Sequence, residues 1–324
     1  MTFTSTPDDL ASLCGPLVYS FADNAAPRTL EVEVADVMTG DIIAVKRLQN
    51  TSAGTVDIAP LLRNRLRLAP LTEAGFHAID DRAPRIRVSV EGASVVRRFL
   101  ANRLPLATEA LVSSMPAERI IHPGERDELT LLPGITRIET RFTTASGTVT
   151  SRNHYSPYAV HPALFVLDTA TAPEGVAAIE VRLYGADATV RSQLRYTVVP
   201  RPEGAVRVAW FGRRGSVEHY TFPICRRCAE TQQRTDYRHA DGSRQVAGTQ
   251  FEGRMTLVSA YERAEVAAAL AEIGTAPALW TVAAEGSVRA VEAIAADRIV
   301  ATHGAPSLVE ITLRSTLENR LPWS

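Results

Sequence analysis

The sequence predicts a mainly β protein, with tandem β-sandwich domains of the immunoglobulin-like or fibronectin-like kind and a C-terminal β-rich domain with one helix. Three observations support this prediction. Short runs alternate apolar and polar residues, as strands with one buried face do. Turn residues separate those runs at short intervals. A single segment in the last third of the chain has the apolar spacing of an amphipathic helix.

Two sandwich domains are expected in the first two thirds of the chain, over residues 13–104 and 116–200. In the first, strands are expected at residues 17–21, 30–34, 42–45 and 85–90, and Pro60 suits the first turn of a short helix. In the second, strands are expected at residues 135–142, 178–184 and 192–199. Roughly 85 residues of short strands and turns are typical of a sandwich.

The third predicted domain spans residues 205–324 and begins with a hairpin, in which a loop at 212–216 joins two strands. Val206, Val208 and Trp210 would line its buried face. A polar stretch at 226–250 follows, for which no strand is predicted.

A helix is then expected from Ser259 to Ile273. Ser259 and Glu262 have capping-box spacing, and Gly274 suits a C-terminal cap. The remaining strands are expected near residues 279–282, 288–291, 298–300 and 308–313.

Composition narrows the class of protein. The chain has 324 residues, 45% hydrophobic and 22% charged, which is enough apolar material for folded cores. With 35 basic and 36 acidic side chains, there is no basic excess to bind nucleic acid. No apolar run is long enough to predict a membrane span. The N-terminal residues lack the basic-then-apolar layout of a signal peptide, so folding in a cytoplasm is expected.

The search for catalytic motifs finds no nucleotide-binding, zinc-protease or serine-hydrolase signature, so the chain is predicted not to be an enzyme and to need no cofactor. Cys225 and Cys228 form a C-x-x-C pair, with His219 and His239 flanking it in sequence. These four residues are weak candidates for a zinc site, because zinc needs four ligands. The other two interpretations of Cys225 and Cys228 are a redox pair and two thiols without a role. No bound metal is predicted.

A local basic patch lies at the tip of the predicted hairpin, where Arg213 and Arg214 are adjacent. These two arginines are a candidate contact with an assembly partner. The other interpretation is a solvated turn.

Several motifs resemble, in order, a poorly characterised family encoded among the tail genes of Bacteroidetes phages and prophages. Residues 210–223 are similar to the family's aromatic strand, glycine turn and aromatic-Thr-Phe strand. Residues 122–129 and 56–62 are similar to its middle and N-terminal motifs. The helix after Ser259, followed by Thr275, Ala276 and Pro277, is similar to its last motif. The resemblance covers residues 15–315.

The resemblance implies a non-enzymatic structural component of a phage tail or tail-like particle. Its expected partners are other tail proteins or further copies of itself, with no nucleic acid and no membrane, and it would fold in the host cytoplasm before joining the virion. An adhesin or carbohydrate-binding module on the same sandwiches is the alternative, because one fold serves both. A hydrolase with a site assembled from distant residues is a third and weaker reading.

Overall fold

The computed structural model describes residues 1–63, 65–66, 68–102, 110–299, 306–315 and 318–320. The predicted mainly β fold class is confirmed, because strands make up most of the elements in these ranges. Part of the first predicted domain boundary, and the end of the strand expected at 298–300, lie outside the described residues.

The N-terminal sandwich is built from two sheets that share one core. Strands β1 to β9 and helix α1 follow in chain order: β1 Thr2–Ser5, β2 Ala11–Ser12, β3 Val18–Ala22, β4 Arg28–Asp36, β5 Ile42–Thr51, β6 Ala53–Asp57, α1 Ala59–Arg63, β7 Gly75–Ala78, β8 Arg85–Val90 and β9 Ala93–Leu100. One sheet has the order β1-β3-β6 and the other β2-β9-β8-β4-β5. In β4, Leu30, Val32 and Val34 point into the core, whereas Glu31 and Glu33 point outward. The alternating sequence thus produces a strand with one buried face.

The middle sandwich also has two sheets. Its own strands are β10 Leu111–Val112, β11 Glu118–Ile121, β12 Arg126–Leu131, β13 Ile135–Thr144, β14 Val149–Tyr155, β15 Ala163–Asp168, β16 Val176–Gly185 and β17 Val190–Val198, with a 3₁₀ turn at Thr169–Thr171. The sheets have the orders β10-β12-β15-β7 and β11-β17-β16-β13-β14. Strand β7 therefore comes from the chain segment assigned to the first predicted domain and pairs with β15.

The C-terminal sheet has the order β19-β18-β22-β23-β24-β21-β20, and β25 pairs with β21. Its elements are β18 Val206–Phe211, β19 Val217–Phe222, β20 Ile224–Arg238, β21 Arg244–Val258, α2 Ala264–Ala271, a 3₁₀ turn Glu272–Thr275, β22 Leu279–Val282, β23 Val288–Ile299, β24 Leu308–Ser315 and β25 Glu318–Arg320. Helix α2 packs Val266 and Leu270 against Trp210 and Ile311 of the sheet. The three-domain division itself stays a prediction.

The hairpin predicted at the start of this sheet is confirmed, because β18 and β19 pair from Val206 with Phe222 to Phe211 with Val217. Of the three residues expected on its buried face, Val208 and Trp210 are fully buried in the core that α2 also lines, and Val206 is half-buried against it. Ala209 and Phe211 are buried too, against the core of the N-terminal sandwich. Strand β18 is therefore covered on both faces.

The predicted capping box of the helix is wrong. Helix α2 begins at Ala264 and its N-cap residue, Arg263, makes no side-chain hydrogen bond to the helix. The Ser259 hydroxyl instead accepts a hydrogen bond from the Val309 backbone N–H at 2.9 Å. Glu262 forms a β-bridge with Ser307. Both residues attach the chain to β24 or to the residue just before it, so neither caps the helix.

The predicted cap at Gly274 is also wrong, because the helix continues into a 3₁₀ turn that includes this residue. Gly274 does not have a positive φ. A Cβ atom here would lie 2.9 Å from the Cβ atom of Ala296. The glycine is therefore required by close packing on β23 and not by the backbone conformation of a cap.

Candidate functional site

A polar cavity of about 430 Å³ lies where the middle sandwich meets the C-terminal sheet. Its walls come from β11 and β17 on one side and from β19 and the segment before α2 on the other. Its buried polar members are Arg119, Asp127, Tyr196, Arg207 and His219. Tyr261, which is 77% exposed, also lines it.

Asp127 is the centre of a buried hydrogen-bond network in this cavity. Arg119 Nη1 donates to Asp127 Oδ2 at 2.8 Å, and the Tyr196 hydroxyl donates to the same oxygen at 2.6 Å. Burial, the largest single influence, favours the neutral acid, but the positive charges of Arg119 and Arg207 and the hydrogen bond from Tyr196 together outweigh it and hold the pKa of Asp127 below its usual value. Asp127 Oδ1 and His219 Nδ1 have no hydrogen-bond partner among the described residues. Two buried polar atoms are thus left for a ligand or an ordered water.

Buried ion pairs and hydrogen bonds fix the middle sandwich against the C-terminal sheet. Arg207 Nη1 on β18 donates to Glu125 Oε2 at 2.7 Å. Glu218 on β19 accepts from the Ser114 backbone N–H at 2.6 Å and from the Ser113 hydroxyl at 2.8 Å. If the two parts moved apart, Arg207 and Glu125 would each lose the counter-ion that compensates its buried charge. This energetic cost opposes relative movement of the two parts.

Burial of His219 gives a testable dependence of stability on pH. Burial, with the nearby charge of Arg207, lowers the pKa of His219 from 6.5 to about 3. Between these values the unfolded chain binds a proton that the folded chain does not, so stability falls as the pH falls. We expect His219 to account for a loss of about 2 kcal/mol between roughly pH 7.5 and pH 5, at ~1.4 kcal/mol per pH unit below 6.5.

Urea unfolding of His219→Gln at these two pH values checks this. The difference in unfolding free energy between the two pH values should shrink by about that 2 kcal/mol relative to the unmodified protein. Replacing the exposed His161 by glutamine is the matched control and should leave the difference unchanged. An equal pH dependence in both variants would contradict the assignment.

The candidate contact at Arg213 and Arg214 lies on the turn between β18 and β19. Arg213 is exposed, and its backbone N–H donates to Glu272 Oε2 at 3.1 Å. The expectation of a solvated turn is wrong for Gly215 and Ser216, which are buried. Gly215 has a φ of 94°, and a Cβ atom there would lie 3.2 Å from the Ala101 carbonyl oxygen. The turn therefore packs against the N-terminal sandwich and leaves Arg213 as its exposed side chain.

The weak zinc candidates are distributed over three places. Cys225 and Cys228 are together on β20, with their sulfur atoms 2.6 Å apart. His219 lies in the cavity, and His239 lies in the turn beyond the far end of β20. Among the residues whose placement is given, no three His, Cys, Asp or Glu side chains form a group that could hold a metal ion. Both cysteines lie within strand β20.

A long hairpin arm, formed by β20 and β21 from Glu230 to Gly253, extends beyond the C-terminal sheet. Strand β21 pairs with β24 only over Arg254–Val258, and with β25 only over Thr249–Phe251. The two arm strands pair with each other as far as Arg238 and Arg244. This is the polar stretch for which no strand was predicted.

No helix in the described part of the chain is long and apolar enough to cross a membrane.

Comparisons with known proteins add little to this geometry. No family model matches the chain, and no curated protein is significantly similar to it. Among solved structures, a chain described as "Virion of native gene transfer agent (GTA) particle" is similar over 32% of this chain and 89% of that chain, with 14% identity and a TM-score of 0.21. A similarity at this level carries no argument about what the present protein does.

Proposed function

We propose that this protein is a non-enzymatic structural component of a phage tail or tail-like particle, and that the hairpin arm joins it to a neighbouring subunit. The arm is the observation on which the proposal depends. Its strands continue from Glu230 to Arg238 with β20 as the last strand of the sheet. At about 3.3 Å per residue, the arm extends roughly 25 Å.

An arm of this kind gains stability from a partner. A two-stranded hairpin alone is marginally stable in water, and an edge strand offers backbone N–H and C=O groups to another chain. Addition of a strand from a neighbour is a common mode of assembly. We take the neighbour to be a second copy of this chain, because an arm-to-body contact repeated around an axis closes a ring.

The arm carries a side-chain cluster near its turn. The rings of Tyr237 and His239 meet edge to face, with 4.7 Å between their centroids. Gln245 Oε1 accepts a hydrogen bond from the Tyr237 hydroxyl at 2.5 Å and lies 2.9 Å from His239 Nε2. Tyr237 is nevertheless 44% exposed. A tyrosine that is both held in place and exposed suits the anchor of a protein–protein contact.

The rest of the molecule, which carries the arm, is linked across its parts, as suits a structural component of a particle. Strand β7, from the N-terminal segment, pairs with β15 in the middle sandwich. Arg207 of the C-terminal sheet forms a buried ion pair with Glu125 of the middle sandwich. The resemblance of residues 210–223 to phage tail proteins supports the class of particle. Arg213, exposed on a turn whose backbone is fixed, is proposed with Arg214 as a second and smaller contact.

Shortening the arm is the direct test. We expect a variant in which an Asn-Gly turn joins Glu230 to Gly253 to remain folded, because none of the removed side chains that the structure describes belongs to an apolar core. The variant should lose self-association, measured by size-exclusion chromatography with light scattering, and should be absent from purified particles.

Two point variants serve as controls for this experiment. Tyr237→Ser with His239→Ser keeps the strands and should weaken association less than removal of the arm. Arg213→Glu with Arg214→Glu tests the second contact. A shortened protein that still associates and enters particles at the level of the unmodified protein would overturn the role of the arm.

A ligand-binding module is the second candidate function, and the cavity favours it. Asp127 Oδ1 and His219 Nδ1 in its wall have no hydrogen-bond partner among the described residues, and the exposed ring of Tyr261 offers a surface for stacking. A hydroxyl-rich ligand such as a glycan fits these groups. Binding of the unmodified protein on a glycan array, lost in Tyr261→Ala, together with a monomer that enters no particle, would favour this function over assembly.

A further inference from the structure

The C-x-x-C pair lies at the root of the hairpin arm, where an irregularity in β20 changes which way its side chains point. In a regular strand, residues three apart face opposite sides. Here Cys225 is opposite Leu257, Arg227 is opposite Thr256 and Cys228 is opposite Met255. Arg226 is therefore an extra residue, as in a β-bulge. The bulge places Cys225 and Cys228 on the same side of the strand.

This placement brings the two thiols into the range of a covalent bond. With one residue bulged out, the cysteines are separated by two strand steps, or roughly 6.6 Å, and disulfides join Cα atoms that are about 4.4–6.8 Å apart. The sulfur atoms are in contact, at 2.6 Å. Cys225 packs beside Met255 against the core that contains Trp210, whereas Cys228 is exposed.

We propose that Cys225 and Cys228 form a reversible intrachain disulfide whose oxidant is a small-molecule disulfide. The exposed Cys228 thiolate attacks one sulfur of the oxidant, which releases one thiol and leaves a mixed disulfide on Cys228. The Cys225 thiolate then attacks the Cys228 sulfur and releases the second thiol. The protein thereby loses two electrons and two protons, and the oxidant is reduced to two thiols.

The order of attack follows from the environments of the two sulfurs. Burial, together with the hydrogen bond to Cys228, raises the pKa of Cys225 to about 11. The exposed Cys228 is accordingly the first nucleophile, and Cys225 resolves the mixed disulfide. The closed loop is very short, so the bond adds little entropic stabilisation. Its structural effect is local: it fixes the bulge where β20 leaves the sheet. This inference does not depend on the proposed function.

The full-length protein in a Cys14→Ser background provides the test, since Cys14 is the only other cysteine. Trypsin cleaves after Arg226 and Arg227 and so separates the two cysteines. After treatment with oxidised glutathione, mass spectrometry should find peptides 215–226 and 228–234 joined by a disulfide. After dithiothreitol, the two peptides should be separate.

Two single variants test the order of attack. Cys225→Ser should keep glutathione on Cys228, because the resolving thiol is gone. Cys228→Ser should leave Cys225 largely unmodified under the same conditions. Glutathione on both cysteines of the parent protein, or two free thiols after the treatment, would overturn the proposal. Thiols that react only after a chelator removes stoichiometric zinc would also overturn it, in favour of a metal site.

Discussion

Replacing Trp210 by alanine is expected to lower the free energy of unfolding by about 3–5 kcal/mol, the range for a fully buried large aromatic side chain. Trp210 is 0% exposed and packs in the core that Leu257, Leu270 and Ile311 line. Its removal leaves a cavity between α2 and the C-terminal sheet, which the surrounding strands fill only in part. Urea unfolding followed by circular dichroism measures the loss.

Two control variants separate the loss of packing from a general effect of substitution. The Trp210 indole N–H has no hydrogen-bond partner among the described residues, so Trp210→Phe removes an unsatisfied donor and leaves a smaller cavity. It should cost clearly less than the alanine variant. Tyr261→Ala, at an exposed position, should change stability by no more than ~0.5 kcal/mol. A loss below about 1 kcal/mol in Trp210→Ala would contradict the placement of this residue in the core.

Alternating strands were the most predictable part of the fold. In β4 and β8, apolar residues at every second position point into one core, and the pattern is visible in the sequence because the other face is polar. The hairpin from Val206 to Phe222 was predictable for the same reason, with glycines at its turn. Alternation of apolar and polar residues indicates a strand that is buried on one face, and these strands show that alternation.

The arm could not be predicted from such a pattern. Its sequence is mostly polar, and neither Glu230 to Arg238 nor the returning strand shows the regular alternation that marks a half-buried strand. The start of α2 was predicted too early for a different reason. Ser259 and Glu262 have the right spacing for a cap, but their partners are Val309 and Ser307, which lie 50 and 45 residues later.

The cavity could not be predicted from the sequence either, because the residues that line it are far apart in the chain. Asp127 and His219 meet only when β12 packs near β19. One signal was present: Asp127 and Glu128 interrupt the strand that ends in Leu129 and Leu131, and a strand with buried neighbours rarely carries two carboxylates unless they are paired. Each of them has an arginine partner, Arg119 for Asp127 and Arg82 for Glu128.

The pair of Arg82 with Glu128 leads to the second large effect. Arg82 is 3% and Glu128 1% exposed, and Arg82 Nη2 donates to Glu128 Oε2 at 3.1 Å. The same nitrogen donates to the Ala69 carbonyl oxygen at 2.6 Å, and the Leu71 backbone N–H donates to Glu128 Oε2 at 3.0 Å. The pair therefore attaches the segment before β7 to β12 of the middle sandwich.

We expect Arg82→Met to lower the free energy of unfolding by about 3–5 kcal/mol, because the Glu128 carboxylate is left buried without its counter-ion. Adding Glu128→Gln should restore much of the loss, since the amide oxygen still accepts from Leu71 and carries no charge. Arg47→Met, which breaks the exposed pair with Glu31, is the matched control and should cost no more than ~1 kcal/mol. If Arg82→Met unfolds in urea no more easily than Arg47→Met, the buried pair does not hold these two parts of the fold together.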